Sequence, residues 1–451
     1  MSTTESAPTR ARRRPVVRGA AALVVGVIGV TITGCSSDAA TDATPDTSPD
    51  TVADSAPSSD VVPVGTDPAV TEPADTDPAA TEPADTEPVD ADPADTGVAD
   101  TEPADTEPAG RDFSAVGPIV ADFVAERGLN GAGLVVVDAE DGVVHEEYWG
   151  EFGPDRISLV ASSTKMVTAG VLLALQDEGR LDIDEPVAAV AEWGAGNPDV
   201  TPAQLVSNSS GLVGLGPNPT YGPYLCQFLP AGSLQECAAT VFQTPDDDGD
   251  IVAPDTEFRY GGAQWQVAGA VAEVVSGETW AELIDRIYVE PCGLESTGYN
   301  NHFAQIGSGF EYPVEFVGDP STLVDTANPN MEGGMYTTTG DYAELLLMHL
   351  RGGRCGDTQV LSEAAVDTMH ADRIAAVYDG TARADTGYGM GWWVDRTTGR
   401  ISDPGAYGSV PWLDLDDGYG AYLVVEADSG TGNELAALLY DEIETAVLAG
   451  R

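Results

Sequence analysis

Lysine is almost missing from this chain. Among 451 residues there is one, Lys165, and every other fixed positive charge is an arginine. Arginine keeps its proton up to pH values above about 12 and cannot serve as a base, so a lone lysine points to work that needs an amine able to lose its proton. Histidine is nearly as scarce. His145, His302, His349 and His370 form no HExxH or HxH cluster, and no two cysteines have the tight CxxC-like spacing of a zinc site. A metal is therefore not expected, and no organic cofactor is either. Basic charge is scarce throughout: from Arg111 onward 54 acids face 14 basic residues, a net of −40, which excludes nucleic acid as a partner. A long apolar run is also lacking. The stretch Ala20 to Ile32 falls short of the roughly 20 residues that span a bilayer.

Five arginines and one acid precede that stretch, and Thr33-Gly34-Cys35 ends it. A positive segment, a short apolar segment and small residues before a cysteine make a bacterial export signal. Ile32 to Cys35 resembles a lipobox, so residues 1–34 read as a lipoprotein signal peptide and Cys35 as the lipid-bearing residue that anchors the chain to the bacterial membrane. Residues 35–110 follow, rich in Thr, Pro, Ala and Asp, with 20 acids and no Lys or Arg. From Thr71 a five-residue unit of the type Thr-Glu-Pro-Ala-Asp repeats. So few large apolar groups cannot offset the entropy of ordering, and the segment reads as a disordered acidic tether. At about 3.1 Å per residue where polyproline-like, its reach is roughly 200 Å. The remainder is expected on the extracytoplasmic face.

Residues 111–451 read as one folded unit of α/β class. Leu134 to Asp138 and Val143 to Trp149 form a hairpin around Glu140-Asp141-Gly142. Val160 to Glu178 shows helical spacing and stops at Gly179. Helical and loop-rich sequence runs from about 180 to 335, including Trp265 to Ser276 and Ala281 to Val289. Helices follow at Gly340 to His349 and Ser362 to Met369. Strand patterns return at Gly389 to Asp395, Arg400 to Ser402 and Gly418 to Glu426, and Asn433 to Val447 is an amphipathic helix. Both ends of the domain thus build one antiparallel sheet flanked by helices, with a mostly helical lobe inserted. An even cysteine count beyond Cys35 in an exported chain favours two disulfides. Of three connectivities, Cys226–Cys237 with Cys292–Cys355 is preferred, because the first pair closes a short Gly/Pro-rich loop.

The lysine belongs to Ser162-Ser163-Thr164-Lys165, at the start of the long helix. Positions i and i+3 share a helix face, so Ser162 meets Lys165 while Ser163 points elsewhere. Further motifs follow in order: Leu205 to Leu212, Phe258-Arg259-Tyr260-Gly261-Gly262 leading into a helix, Gly333 to Asp341, Tyr388 to Trp393, and Asp403-Pro404-Gly405. In these motifs the chain resembles the serine beta-lactamase and DD-peptidase superfamily, in its class C-like branch with related esterases and D-aminopeptidases, over about residues 115–447. The resemblance implies a beta-lactamase/transpeptidase-like fold, acylation of Ser162, Lys165 and Tyr260 as the proton-handling pair, and an oxyanion hole from the backbone N–H groups of Ser162 and Ala406. Burial is expected to lower the pKa of Lys165. Which of Lys165 and Tyr260 is the base stays open.

Two positions depart from the family pattern. Gly262 replaces the asparagine of a Tyr-x-Asn motif, and Asp403 replaces the Lys or His that precedes Gly405. With Trp393, these residues are the substrate-pocket candidates. An aspartate in place of a cation repels the carboxylate of a β-lactam or of a peptide C-terminus, so a neutral or cationic acyl substrate fits better. The expectation is an extracytoplasmic serine hydrolase acting on an ester, an amide or a cell-wall peptide. Its alternatives are a catalytically retired penicillin-binding-like domain that binds cell wall or a partner, and a true beta-lactamase.

Overall fold

The computed structural model describes residues 110–451 other than 215–218, 248, 304–318, 375–378 and 381–383. The signal, Cys35 and the tether up to residue 109 lie outside the described residues. Helix α1 (Val116–Arg127) leads into the hairpin β1 (Gly131–Asp138) and β2 (Gly142–Gly150). After the short strand β3 (Ser158–Leu159) comes α2 (Lys165–Asp177), and the inserted segment contributes α3 (Leu234–Gln243) and α4 (Ala263–Ser276). Strands β4 (Gly298–Tyr299) and β5 (Met335–Thr337) then join β3 in a small sheet, ordered β3-β5-β4. Helix α5 (Thr339–Leu350) precedes five strands of the main sheet: β6 (Thr386–Tyr388), β7 (Trp393–Asp395), β8 (Ile401–Ser402), β9 (Ser409–Asp414) and β10 (Tyr419–Val424). Helix α6 (Ser429–Ala449) ends the fold.

The seven-stranded sheet runs β6-β7-β8-β9-β10-β1-β2, and every neighbouring pair is antiparallel. The first hairpin and the last strands meet where β1 pairs with β10, so both ends of the domain build one sheet, as expected. All of β1 is buried, because helices cover both faces. Leu134 and Val136 pack with Val120 of α1 and Leu439 and Ile443 of α6, while Val135 and Val137 face the cluster that holds Leu172 of α2 and Leu346 of α5. Alternate residues of one strand thus enter two cores, as the period of two requires.

Two elements differ from the sequence expectation. The pattern from Gly389 to Asp395 is broken: β6 ends at Tyr388 and β7 starts at Trp393. Gly391 between them adopts φ +83°, and a Cβ there would strike the backbone of Lys165 and Met166. That turn is therefore pressed against the start of α2. Strand β9 has no counterpart among the expected strands, and it lies inside the sheet although it carries Pro411, a residue that central strands usually exclude. The chain accommodates it because Pro411 pairs with Tyr422 on one side and on the other only accepts, its carbonyl taking the Asp403 N–H at 3.3 Å. The disulfides are Cys226–Cys237 and Cys292–Cys355.

Candidate active site

The serine–lysine turn sits where the two sheets and α2 meet. Ala161, immediately before Ser162, has φ 47°, a left-handed conformation that costs a residue with a Cβ about 1 kcal/mol or more. Residues Ala161–Thr164 then make a tight 3₁₀ turn, so Ser162 precedes the α-helix instead of lying inside it. The turn is pinned by neighbours. Ser163 donates to the Asp403 carbonyl at 2.6 Å, Tyr342 donates to the Ser163 carbonyl at 2.8 Å, and the Met335 N–H donates to Thr164 Oγ1 at 3.1 Å.

Lys165 begins α2, in which every residue through Leu175 is buried, and its own side chain is 0% exposed. Nζ donates to Ser162 Oγ at 3.0 Å and to the Glu332 carbonyl at 3.0 Å, and stands 3.4 Å from Glu332 Oε2. It also lies 4.7 Å from the ring centre of Tyr260 and 5.7 Å from that of Trp265. Burial pushes the Tyr260 hydroxyl above its ordinary pKa, although Lys165 and a hydrogen bond with Ser162 pull the other way and mark both as its neighbours. The structure therefore gathers Ser162, Lys165 and Tyr260 in one place. Tyr260 is held by the segment Leu205 to Leu212: the Asn208 carbonyl accepts the Arg259 N–H at 2.8 Å, and Asn208 Oδ1 accepts from Gln264 and Trp265 at the head of α4. Trp393 stacks on Tyr260 with centroids 5.5 Å apart and forms a wall. Gly405 abuts the nucleophile turn, since a Cβ there would overlap the Val160 carbonyl; exposed Ala406 follows it.

Two expectations are corrected. Burial does push the Lys165 pKa down, but the charges of Tyr260, Glu332 and Asp403 outweigh it and leave the amine above its ordinary value. Lys165 therefore rests protonated. Asp403 is not a pocket residue: it is wholly buried beneath the start of α2, where no substrate reaches it. Burial pushes its carboxyl well above the usual range. Lys165 and the amides of Met166 and Lys165 favour the charged form, yet neither carboxyl oxygen closes a well-formed hydrogen bond. Gly262 is no gap. The space beside it is filled by Glu332 and Gln227, both of which the sequence reading missed. The signal for Glu332 was an acid set between Met331 and a Gly-Gly pair in an otherwise uncharged stretch.

Asp403 gives a stability prediction. A carboxyl whose folded pKa is raised costs stability as pH climbs from its unfolded value, about 3.9, toward the folded one. Asp403→Asn removes that cost, so the variant is expected to melt higher than the parent at pH 7.5, with the gain vanishing near pH 4. No gain at pH 7.5 would mean that Lys165 and the helix amides compensate the charge fully.

Elsewhere a cavity of about 430 Å³ is lined by Trp280, Tyr299, Tyr336, Glu273, Asp285 and Asp325 among others, with no serine, lysine or histidine. It adjoins α2, where the Tyr299 hydroxyl meets Thr168, and holds no serine–lysine pair. Among the described residues no group of three or more His, Cys, Asp or Glu is placed to hold a metal.

Comparison with known proteins agrees with this geometry. A family profile described as Beta-lactamase matches residues 118–444. The chain is 27% identical to Penicillin-binding protein 4 of Amycolatopsis lactamdurans, over 70% of this chain and 86% of that one. It is 24% identical to the D-alanyl-D-alanine-carboxypeptidase/endopeptidase AmpH of Escherichia coli K12, over 41% of this chain and 54% of that one, about half its length. Among solved structures, EstCE1, a hydrolase with promiscuous acyltransferase activity, superposes with a TM-score of 0.61 at 19% identity, over 73% of this chain and 98% of that one. At that identity the likeness speaks for the fold.

Proposed function

This chain belongs to the Beta-lactamase family, and from that premise we propose an extracytoplasmic serine hydrolase, anchored by a lipid on Cys35, that acts through an acyl-enzyme on Ser162. Its substrate is an ester, an amide or a cell-wall peptide. The observation that carries the reading is the 3.0 Å contact between Lys165 Nζ and Ser162 Oγ in a site closed by Tyr260 and Glu332.

The chemistry follows from that contact. A serine hydroxyl is a weak nucleophile until a base takes its proton. Once the Lys165–Tyr260 pair has given up one proton to solvent, it accepts the proton of Ser162 as Oγ bonds to the acyl carbon. It returns that proton to the leaving group as the old bond breaks. The N–H groups of Ser162 and Ala406 stabilise the oxyanion. Water then repeats the sequence and frees the serine. An intact Ser162–Lys165 contact argues against retirement to a purely binding role.

A fluorophosphonate or penicillin probe is expected to modify Ser162, mapped by mass spectrometry, and to leave Ser162→Ala unlabelled. A folded parent protein that takes up neither probe would overturn the proposal.

A further inference from the structure

Gly262 and Glu332 account for one another. A Cβ at 262 would overlap Oε1 of Glu332 and Oε1 of Gln227, so side chains from two other segments occupy the volume that a longer residue 262 would take. The consequence is a carboxylate in the reaction site. The ammonium of Lys165 touches both Ser162 Oγ at 3.0 Å and Glu332 Oε2 at 3.4 Å. Glu332 therefore stands one amine's width from the nucleophile. Its side chain is 10% exposed, dry enough for charge to count and open enough for a substrate group to reach it. Asp403 is wholly buried and cannot share this role. The other ionisable groups facing the pair are Tyr260 and, behind it, Tyr388.

Resting on the serine hydrolase reading, we propose that Glu332 determines the substrate's charge. It favours acyl compounds that bring an ammonium beside the scissile carbonyl, such as unblocked α-amino esters or amides, and disfavours those that bring a carboxylate. The substrate ammonium competes with Lys165 for the carboxylate. Lys165, losing its partner, releases its proton to solvent, and the neutral amine takes the proton of Ser162 as the Oγ–carbon bond forms. With an uncharged substrate Glu332 keeps its hold on the amine, and the same step needs a higher pH.

The test uses three fluorophosphonates that differ only in a tail bearing an ammonium, a neutral group or a carboxylate, and reads the second-order rate of Ser162 modification. The parent protein is expected to react in that order, with about tenfold between successive tails. In Glu332→Gln the three rates converge to within about threefold, and Glu332→Asp restores the order in part. For the neutral probe, the pH of half-maximal rate is expected to fall in Glu332→Gln, because removing a negative neighbour favours the uncharged amine. Labelling that shows no order in the parent, or an order that survives in Glu332→Gln, overturns this proposal and leaves the hydrolase standing. No labelling by any of the three removes the hydrolase reading and this proposal with it.

Discussion

Lys165→Met is expected to slow acylation of Ser162 by about 10³-fold or more while leaving the serine in place. Methionine fills a similar volume without charge, so the loss reads chemistry more than packing. A positioned base contributes typically 10²–10⁴-fold, and here the amine is also the group that Ser162 Oγ meets at 3.0 Å. Lys165→Arg should not rescue, since a guanidinium at pH 7 cannot accept a proton. The measurement is the rate of fluorophosphonate incorporation, with folding followed by thermal unfolding. A Lys165→Met protein that acylates at the parental rate would leave Tyr260 as sole base. Some loss of stability is also expected, because the substitution strips Glu332 and Asp403 of their shared cation.

The second large effect concerns the disulfides, whose two losses should separate stability from activity. Cys292–Cys355 closes 63 residues of sequence and Cys226–Cys237 only 11. Loop-closure entropy values the first at about 4 kcal/mol and the second at about 3 kcal/mol. Replacing Cys292 and Cys355 together by serine is therefore expected to give the larger fall in Tm. The order reverses for activity. Cys226 is adjacent to Gln227, whose side chain lies against Gly262 beside Glu332, so opening the shorter loop loosens the site itself. Thermal unfolding and probe-labelling rates on both double variants check this. The same variant proving worse on both counts would show that the Gln227 segment is held without its disulfide.

The candidate site was legible where local geometry decides it. Ser162 and Lys165 are three residues apart, and any helical turn brings such positions together. Tyr260 could be named only through the family resemblance, whose Tyr-x-Asn motif falls on residues 260–262 just before a helix. Glu332 and Gln227 could not, since they reach the site from segments about 170 and 60 residues beyond Lys165 and meet only when the chain is folded. Asp403 was misread for the same reason. Its place in the motif suggested the pocket, but the fold buries it wholly against the backbone amides that open α2.

Composition and spacing alone determined the class of fold and the pairing of a hydroxyl with the chain's one amine, because these depend on local periodicity and on counts of residue types. The amine's charge was decided only by tertiary structure. Sequence predicts burial, which disfavours an ammonium, but the packing of the inserted segment against α2 brings Tyr260 and Glu332 to it, and with Asp403 from the main-sheet side they outweigh the loss of water.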